Sequence, residues 1–208
     1  LLTGAVERVV GRADGQPPIS CTRQQPEQTK TLLLPQVSRC AAHAVEYLHS
    51  RGIDYELIDF CIRTGRLYES YPHHNAVFVG KDKDGQPRYA CLRGIGTDFK
   101  GEATGSDKRF SFSIPAEESS QVLYLFESAI DLLSFATMAQ EDRLPWRAQH
   151  LLSLAGVYQP KKNLAERRLP LALSQYLRDH REIRTIYLCL DNDLAGRSAA
   201  DAIRQPLG

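Results

Sequence analysis

The hydrophobic positions change rhythm along the chain, and each rhythm predicts a different kind of element. From Val37 to Arg51 the residues Val37, Cys40, Ala41, Ala44, Val45 and Leu48 recur at helical spacing, and Gly52 follows as a C-terminal stop. Asp54 reads as the N-cap of a second short helix with the stripe Leu57, Ile58, Cys61 and Ile62. The period then shortens. "NAVFVG" and "PRYACLRG" are strand-like runs joined by "KDKDGQ", whose Asp-Gly pair signals a hairpin, and "RFSFSI" alternates as another strand. Residues 35–115 are thus expected to form a small α+β lobe.

From Gln121 the pattern becomes strand–helix alternation. "VLYLF" is an unbroken apolar strand, "ESAIDLLSFATMAQ" a helix and "HLLSLAG" a strand. A helix from Asn163 to His180 follows, interrupted at Pro170, then the strand "RTIYLCL" and the helix "DLAGRSAADAIR". Buried strands alternating with helices predict a parallel sheet covered on both faces over residues 120–208. Upstream, residues 12–31 are polar, rich in Pro and Gln, and read as a linker. "GAVERVVG" before them reads as the last turns of a helix, so residues 1–34 are expected to be the tail of an upstream module.

Composition narrows the class. A 208-residue chain that is 42% hydrophobic can bury a sizeable core. Its net charge of +1 gives no general basic field, so any nucleic-acid surface must be local. No apolar run approaches the ~20 residues that span a bilayer, and Glu7 and Arg8 break the start too early for a signal peptide. Five cysteines without a C-x-x-C support neither a disulfide framework nor a zinc ribbon; they read as buried thiols of a reducing, cytoplasmic protein.

The chemistry gathers at strand ends. Glu127 follows the first strand of the second half, and Asp191 and Asp193 follow the third. A parallel topology brings such positions to one sheet edge, where ligands collect. Crowded carboxylates repel, and a hard divalent cation, Mg²⁺ or Mn²⁺, relieves the conflict while keeping sites for water and phosphate. Glu127 then faces a metal-held phosphate, as ligand or as general acid or base. The alternative for Asp193 is a plain helix cap. Asp131, one turn beyond Glu127, either supports the metal site or pairs with an arginine.

These residues carry a resemblance. "FESAIDLLSF" and "LDNDLAGRSAA" resemble the Glu and D-x-D-x-A-G elements of the Toprim fold of bacterial primases, topoisomerases and some nucleases, and Gly156 in "SLAGV" matches the glycine after its middle strand. "YLHSRGIDYELIDFCIRTG", "NAVFVGKDKDGQPRYACLRG" and, more loosely, "FKGEATGSDKRFSF" resemble the primase core before that fold. Residues 37–204 are covered, and the overall likeness is to primase-like Toprim proteins of plasmids and integrative elements. Ser128 and Val157 stand where the family has Gly and Thr, and a later acidic strand is not in the sequence.

The resemblance implies an α/β Toprim domain, a Rossmann-like parallel sheet, behind a primase-core-like lobe. It further implies Mg²⁺-dependent nucleotidyl transfer, primer synthesis on single-stranded DNA from nucleoside triphosphates, in mobile-element replication or transfer. Glu127, Asp191 and Asp193 would be the catalytic and metal residues, with Asp131 and Gly156 behind them. A helicase or relaxase would be the partner, and zinc would belong only to an upstream ribbon whose tail "GAVERVVG" is similar to. Metal-dependent cleavage and a non-catalytic DNA-binding module are the alternatives.

The basic residues leave two readings. Arg93, Lys100, Lys108 and Arg109 either converge on template or triphosphate, with Arg93 and Lys100 favoured by the resemblance, or form a mixed surface with Asp98, Glu102 and Asp107. Lys81 and Lys83 beside the hairpin are solubilising, as is the patch of Lys161, Lys162, Arg167 and Arg168 by default. His73 and His74 are adjacent on an extended segment and point apart, which assigns them to a loop. Tyr124 and Phe126 are core residues.

Overall fold

The computed structural model describes residues 7–9, 31–156 and 169–206. Two short helices open the first lobe, α1 (Ala42–Ser50) and α2 (Tyr55–Arg63). The Asp54 carboxylate accepts from the Glu56 N–H at 2.8 Å and starts α2 as expected. Between the helices Gly52 turns the chain at φ 84°, where a side chain is strained. The expected start of α1 at Val37 is corrected: Val37 forms an isolated antiparallel bridge with Ser70 instead. Backbone pairing there overrides the helical spacing of a few small residues.

A four-stranded antiparallel sheet follows, in the order β2 (Leu67–Glu69), β3 (Ala76–Lys81), β4 (Pro87–Arg93), β5 (Lys100–Glu102). The expected hairpin joins β3 and β4, with the Asp82 carboxylate accepting from the N–H groups of Asp84 and Gln86 across its turn. "RFSFSI" is corrected. Asp107 caps a single 3₁₀ turn at Lys108–Phe110, and only Ser113–Ile114, β6, is strand. That strand belongs to the other sheet, where it pairs antiparallel with β8.

The second sheet runs β1-β9-β7-β8-β6, built from β1 (Glu7–Val9), β7 (Val122–Phe126), β8 (His150–Ser153) and β9 (Thr185–Cys189) besides β6. Its centre, β9-β7-β8, is parallel, whereas both edge strands are antiparallel, so the sheet is mixed rather than wholly parallel. The helical reading of "GAVERVVG" is corrected as well. Glu7–Val9 lie along β9, where strand pairing satisfies an edge that helical turns would leave open. The linker over residues 12–31 lies outside the described residues apart from Thr31, as do the patch at Lys161, Lys162, Arg167 and Arg168 and the first part of the helix expected from Asn163.

Among the described residues three helices cover this sheet: α3 (Ala129–Glu141), α4 (Leu171–Asp179), which begins after Pro170, and α5 (Leu194–Arg204). One face shares a continuous core with the first lobe, since Leu48, Leu57, Ile58 and Phe78 cluster with Phe126, Leu132, Leu133, Trp146 and Leu151. The other face packs Leu123, Leu125 and Leu188 against Leu173 and Leu177 of α4 and Ala199 and Ile203 of α5. Each Leu, Ile or Phe side chain so taken from water stabilises the fold by ~1.5–3 kcal/mol. The lobes are thus welded by burial, and the Asp54 N–H donating to the Thr137 hydroxyl at 3.1 Å adds a polar tie. Of the thiols, Cys61, Cys91 and Cys189 are pushed up to about 12, burial being the leading cause. Cys40 is exposed, which corrects the expectation that every cysteine is buried.

The first lobe also holds a buried carboxylate that the sequence pattern did not single out. Glu69, 1% exposed, accepts from the Ala44 N–H at 3.0 Å, from His43 Nδ1 at 2.9 Å and from His74 Nδ1 at 2.5 Å. Burial pushes Glu69 up, but the hydrogen bonds from His43, His74 and Ala44 outweigh it and hold the group below 4.5. The same carboxylate raises His43 above 6.5. Stability from Glu69 is therefore present above pH 4.5 and lost as pH falls through its depressed value; that from His43 is present below pH 6.5 and lost as pH rises through its raised value. Glu69→Ala strands these donors and is expected to cost ~3 kcal/mol in denaturant unfolding.

Candidate metal and phosphate site at the sheet edge

The strands β7 and β9 end side by side, with Phe126 opposite Cys189, so Glu127 and Asp191 emerge at one edge. Glu127 is 7% exposed, and its Oε1 accepts from the Asp191 N–H at 3.2 Å. Gly156 closes the end of β8 over the same point: its N–H donates to the Glu127 carbonyl at 2.9 Å, with φ at 111°. Only glycine takes that conformation without strain. The structure thus brings Glu127, Asp191 and Gly156 together.

Asp193 has a second duty. Its Oδ1 accepts from the Gly196 N–H at 2.7 Å and caps α5. Asp131 is held in a capping box, its Oδ2 accepting from the Ser128 N–H at 3.1 Å and hydroxyl at 2.7 Å. Serine at position 128 therefore has a structural use at the start of α3. No ion pair joins Asp131 to an arginine among the described residues. Arg197, early in α5, instead donates to the Asn192 carbonyl at 2.8 Å and amide oxygen at 3.0 Å.

The electrostatics follow from this crowding. Glu127 is pushed above its ordinary value by burial and then by the charges of Asp191, Asp193 and Asp131, against the lowering effect of the Asp191 N–H. Asp191 is raised by burial, then by Asp131 and Asp193. Glu127, Asp191 and Asp193 do not bring three oxygens within 4.8 Å of one another; among the described residues only two histidine-containing groups do so. An open set of carboxylates suits Mg²⁺, which binds through one or two of them and keeps several waters. Hard oxygen donors under mutual repulsion fit such an ion.

Gly196, the glycine of the D-x-D-x-A-G run, was given no role of its own in the sequence reading, and the structure sets it against the carboxylates. A Cβ there would lie 2.0 Å from the Asp191 carbonyl oxygen and 3.0 Å from Glu127 Oε1. The Ala-Gly pair in the first turn of α5 was the available signal.

Residues 124–207 match the model of a family described as Toprim-like. This chain carries a Toprim-like domain. Residues 46–119, ahead of it, match a family described as a protein of unknown function, DUF3991. A 65 kDa protein of Zymomonas mobilis is 34% identical over 115 residues, 54% of this chain and 18% of that protein. The chain thus spans less than a fifth of that relative's length. The primase fragment of the bacteriophage T7 primase-helicase superposes with a TM-score of 0.54 at 16% identity, over 91% of this chain and 69% of that one. A T7 primase domain solved with the lagging-strand DNA polymerase, an RNA/DNA hybrid and dTTP gives 0.51 at 21% identity, over 77% and 73%. The Toprim-like domain and the lobe before it therefore have a primase-like fold.

Beside the Toprim-like domain the basic residues divide. Lys108 Nζ is bound to the Glu102 carboxylate at 2.9 Å, and Arg109 is paired with Asp107 through contacts of 2.6–2.9 Å. These pairs carry the mixed-surface reading. Arg93 and Lys100 are direct register partners on β4 and β5, and directly opposed residues share a sheet face. Neither has an ion-pair partner among the described residues. Like charges set opposite each other cost stability.

Proposed function

We propose that the chain is a primase-like nucleotidyltransferase that joins nucleotides on single-stranded DNA, in the replication or transfer of a mobile element. The observation that carries this reading is the placement of Glu127 and Asp191 at adjacent strand ends, joined by a hydrogen bond, within a primase-like fold. Asp191 and Asp193, with Glu127, would hold Mg²⁺ or Mn²⁺. When bound, the ion supplies charge neutralisation for phosphate oxygens.

The chain's own residues do the remaining work. Glu127, buried and raised, is placed to hold or release a proton at its carboxyl, and the Asp191 N–H fixes its orientation. Asp193 anchors the first turn of α5 against the edge. Arg93 and Lys100 offer paired cations for a template phosphate or a triphosphate. Phosphoryl transfer needs chiefly positioning and electrostatics, which this set supplies. Single-stranded DNA and nucleoside triphosphates are the expected ligands, with a helicase or relaxase as partner.

A labelled template incubated with nucleotides and Mg²⁺ tests the reading. With the nucleotides labelled as well, new labelled oligonucleotides mark synthesis; shortened template marks phosphodiester cleavage at the same carboxylates; neither marks a binding module. Arg93→Ala and Lys100→Ala are each expected to reduce the salt slope of DNA binding by about one phosphate contact, measured by anisotropy across salt concentrations. Unchanged slopes would remove both residues from the nucleic-acid surface.

A further inference from the structure

The opposite end of the same sheet carries a second cluster, unrelated to the acidic edge. His150 is the first residue of β8, His180 follows the last turn of α4, and Glu182 lies in the turn before β9. His150 Nε2 stands 3.6 Å from Glu182 Oε1, and His180 Nδ1 stands 3.3 Å from the same oxygen. One ligand atom from each residue lies within 4.8 Å of the others.

The buried member is unsatisfied. His150 is 3% exposed, and its Nε2 has no hydrogen-bond partner among the described residues. At 3.6 Å the Glu182 oxygen is too far to serve. An orphaned buried nitrogen is costly, and it asks for an occupant.

The spacing says what kind. Around a tetrahedral ion with bonds of about 2.0–2.1 Å, neighbouring ligand atoms sit roughly 3.3–3.4 Å apart. The separations of 3.3 and 3.6 Å in this cluster are of that size. The His43–Glu69–His74 group has closed further, into hydrogen bonds of 2.5 and 2.9 Å, whereas here the one hydrogen bond, His180 Nδ1 to Glu182, is a long 3.3 Å.

We propose that His150, His180 and Glu182 form a transition-metal site of the zinc class, with water in the fourth position. Two imidazoles and one carboxylate select Zn²⁺ or Co²⁺ over Mg²⁺, which prefers oxygen alone. His150 Nδ1 faces the Tyr176 hydroxyl at 3.0 Å, an outer contact of the kind that fixes a ligating ring. The Ala116 N–H donates to that same nitrogen at a long 3.4 Å, a contact that ligation through Nε2 would exchange for donation from Nδ1–H to the Tyr176 oxygen, and Tyr176 and His180 pack around the imidazole. Burial foremost, with the charge of His180, lowers His150 to about 4, against the raising pull of Glu182 and of a backbone contact with Ser120. The ion would tie the start of β8 to the turn that feeds β9. Glu182 and His180, with side chains 39% and 23% exposed, give it a route in from solvent.

The test uses the full chain carrying Glu127→Gln and Asp191→Asn, so that binding at the acidic edge cannot be mistaken for this site. Zn²⁺ is titrated against a chromophoric chelator, and Co²⁺ is followed by its visible absorption. One equivalent of Zn²⁺ and a tetrahedral Co²⁺ spectrum are expected, with a rise in melting temperature. His180→Ala and Glu182→Gln, placed separately in this background, should each weaken Zn²⁺ by at least roughly tenfold and abolish that rise. Should His180→Ala fail to fold, Glu182→Gln, at a more exposed position, decides alone. Absence of stoichiometric Zn²⁺, or affinity that survives both substitutions, overturns the site.

Discussion

Gly196→Ala is expected to lower stability by ~3 kcal/mol and to silence the acidic edge together. The added methyl would meet the Asp191 carbonyl oxygen at 2.0 Å and its carbon at 2.9 Å, both backbone atoms that cannot swing aside. It would also press on Glu127 Oε1 at 3.0 Å. Glycine is required here for space, since the residue is helical and its backbone is unstrained. Relief demands that α5 retreat from the end of β9, which pulls the Gly196 N–H off Asp193 and turns Asp191 away from Glu127. Denaturant unfolding reads the first effect and nucleotide incorporation the second. A variant as stable and active as the parent would show that α5 does not rest on the carboxylates. Gly156→Ala makes the contrast. Its Cβ would meet nothing within 4 Å, so the cost is only the ~1–3 kcal/mol of a residue held at φ 111°.

Asp191→Asn and Glu127→Gln are each expected to cost ~10²–10³-fold in Mg²⁺-dependent nucleotide incorporation, the scale of losing one preorganised electrostatic contact. Their effect on the fold should run the other way. Glu127 is raised by burial and by three neighbouring carboxylates, so neutralising it removes repulsion. A glutamine oxygen can still accept from the Asp191 N–H. Without metal, Glu127→Gln should therefore stabilise the chain by ~1 kcal/mol while activity collapses, a trade that marks a site built for charge. Asp193 separates the two duties again. Asparagine keeps the cap on α5, so Asp193→Asn should lose activity at unchanged stability, whereas Asp193→Ala should also lose ~1 kcal/mol. Activity that persists in these variants would leave the edge a structural turn.

Much of this was legible because the second half repeats one unit. Apolar runs at Val122–Phe126 and Thr185–Cys189, each followed by a helix, gave the parallel centre and put Glu127 and Asp191 at one edge. What escaped is short or long-range. β5, Lys-Gly-Glu, has no apolar residue to announce it, and β1 is three residues whose pairing depends on β9. "RFSFSI" alternates, yet Asp107 diverts its start into a turn and only its end enters a sheet, the other one. Apart from the nearby His74, the environments of Glu69 and His150 arise from residues some 25 to 34 positions away, whose approach no local spacing encodes.

The most direct measurement is calorimetric titration of Mg²⁺ into the full chain, beside Glu127→Gln and Asp191→Asn. Saturable binding to the parent, weakened at least roughly tenfold by either substitution, is predicted. A parent that takes up no Mg²⁺, or variants that bind it as well as the parent, would contradict the assignment of this sheet edge to metal and phosphate.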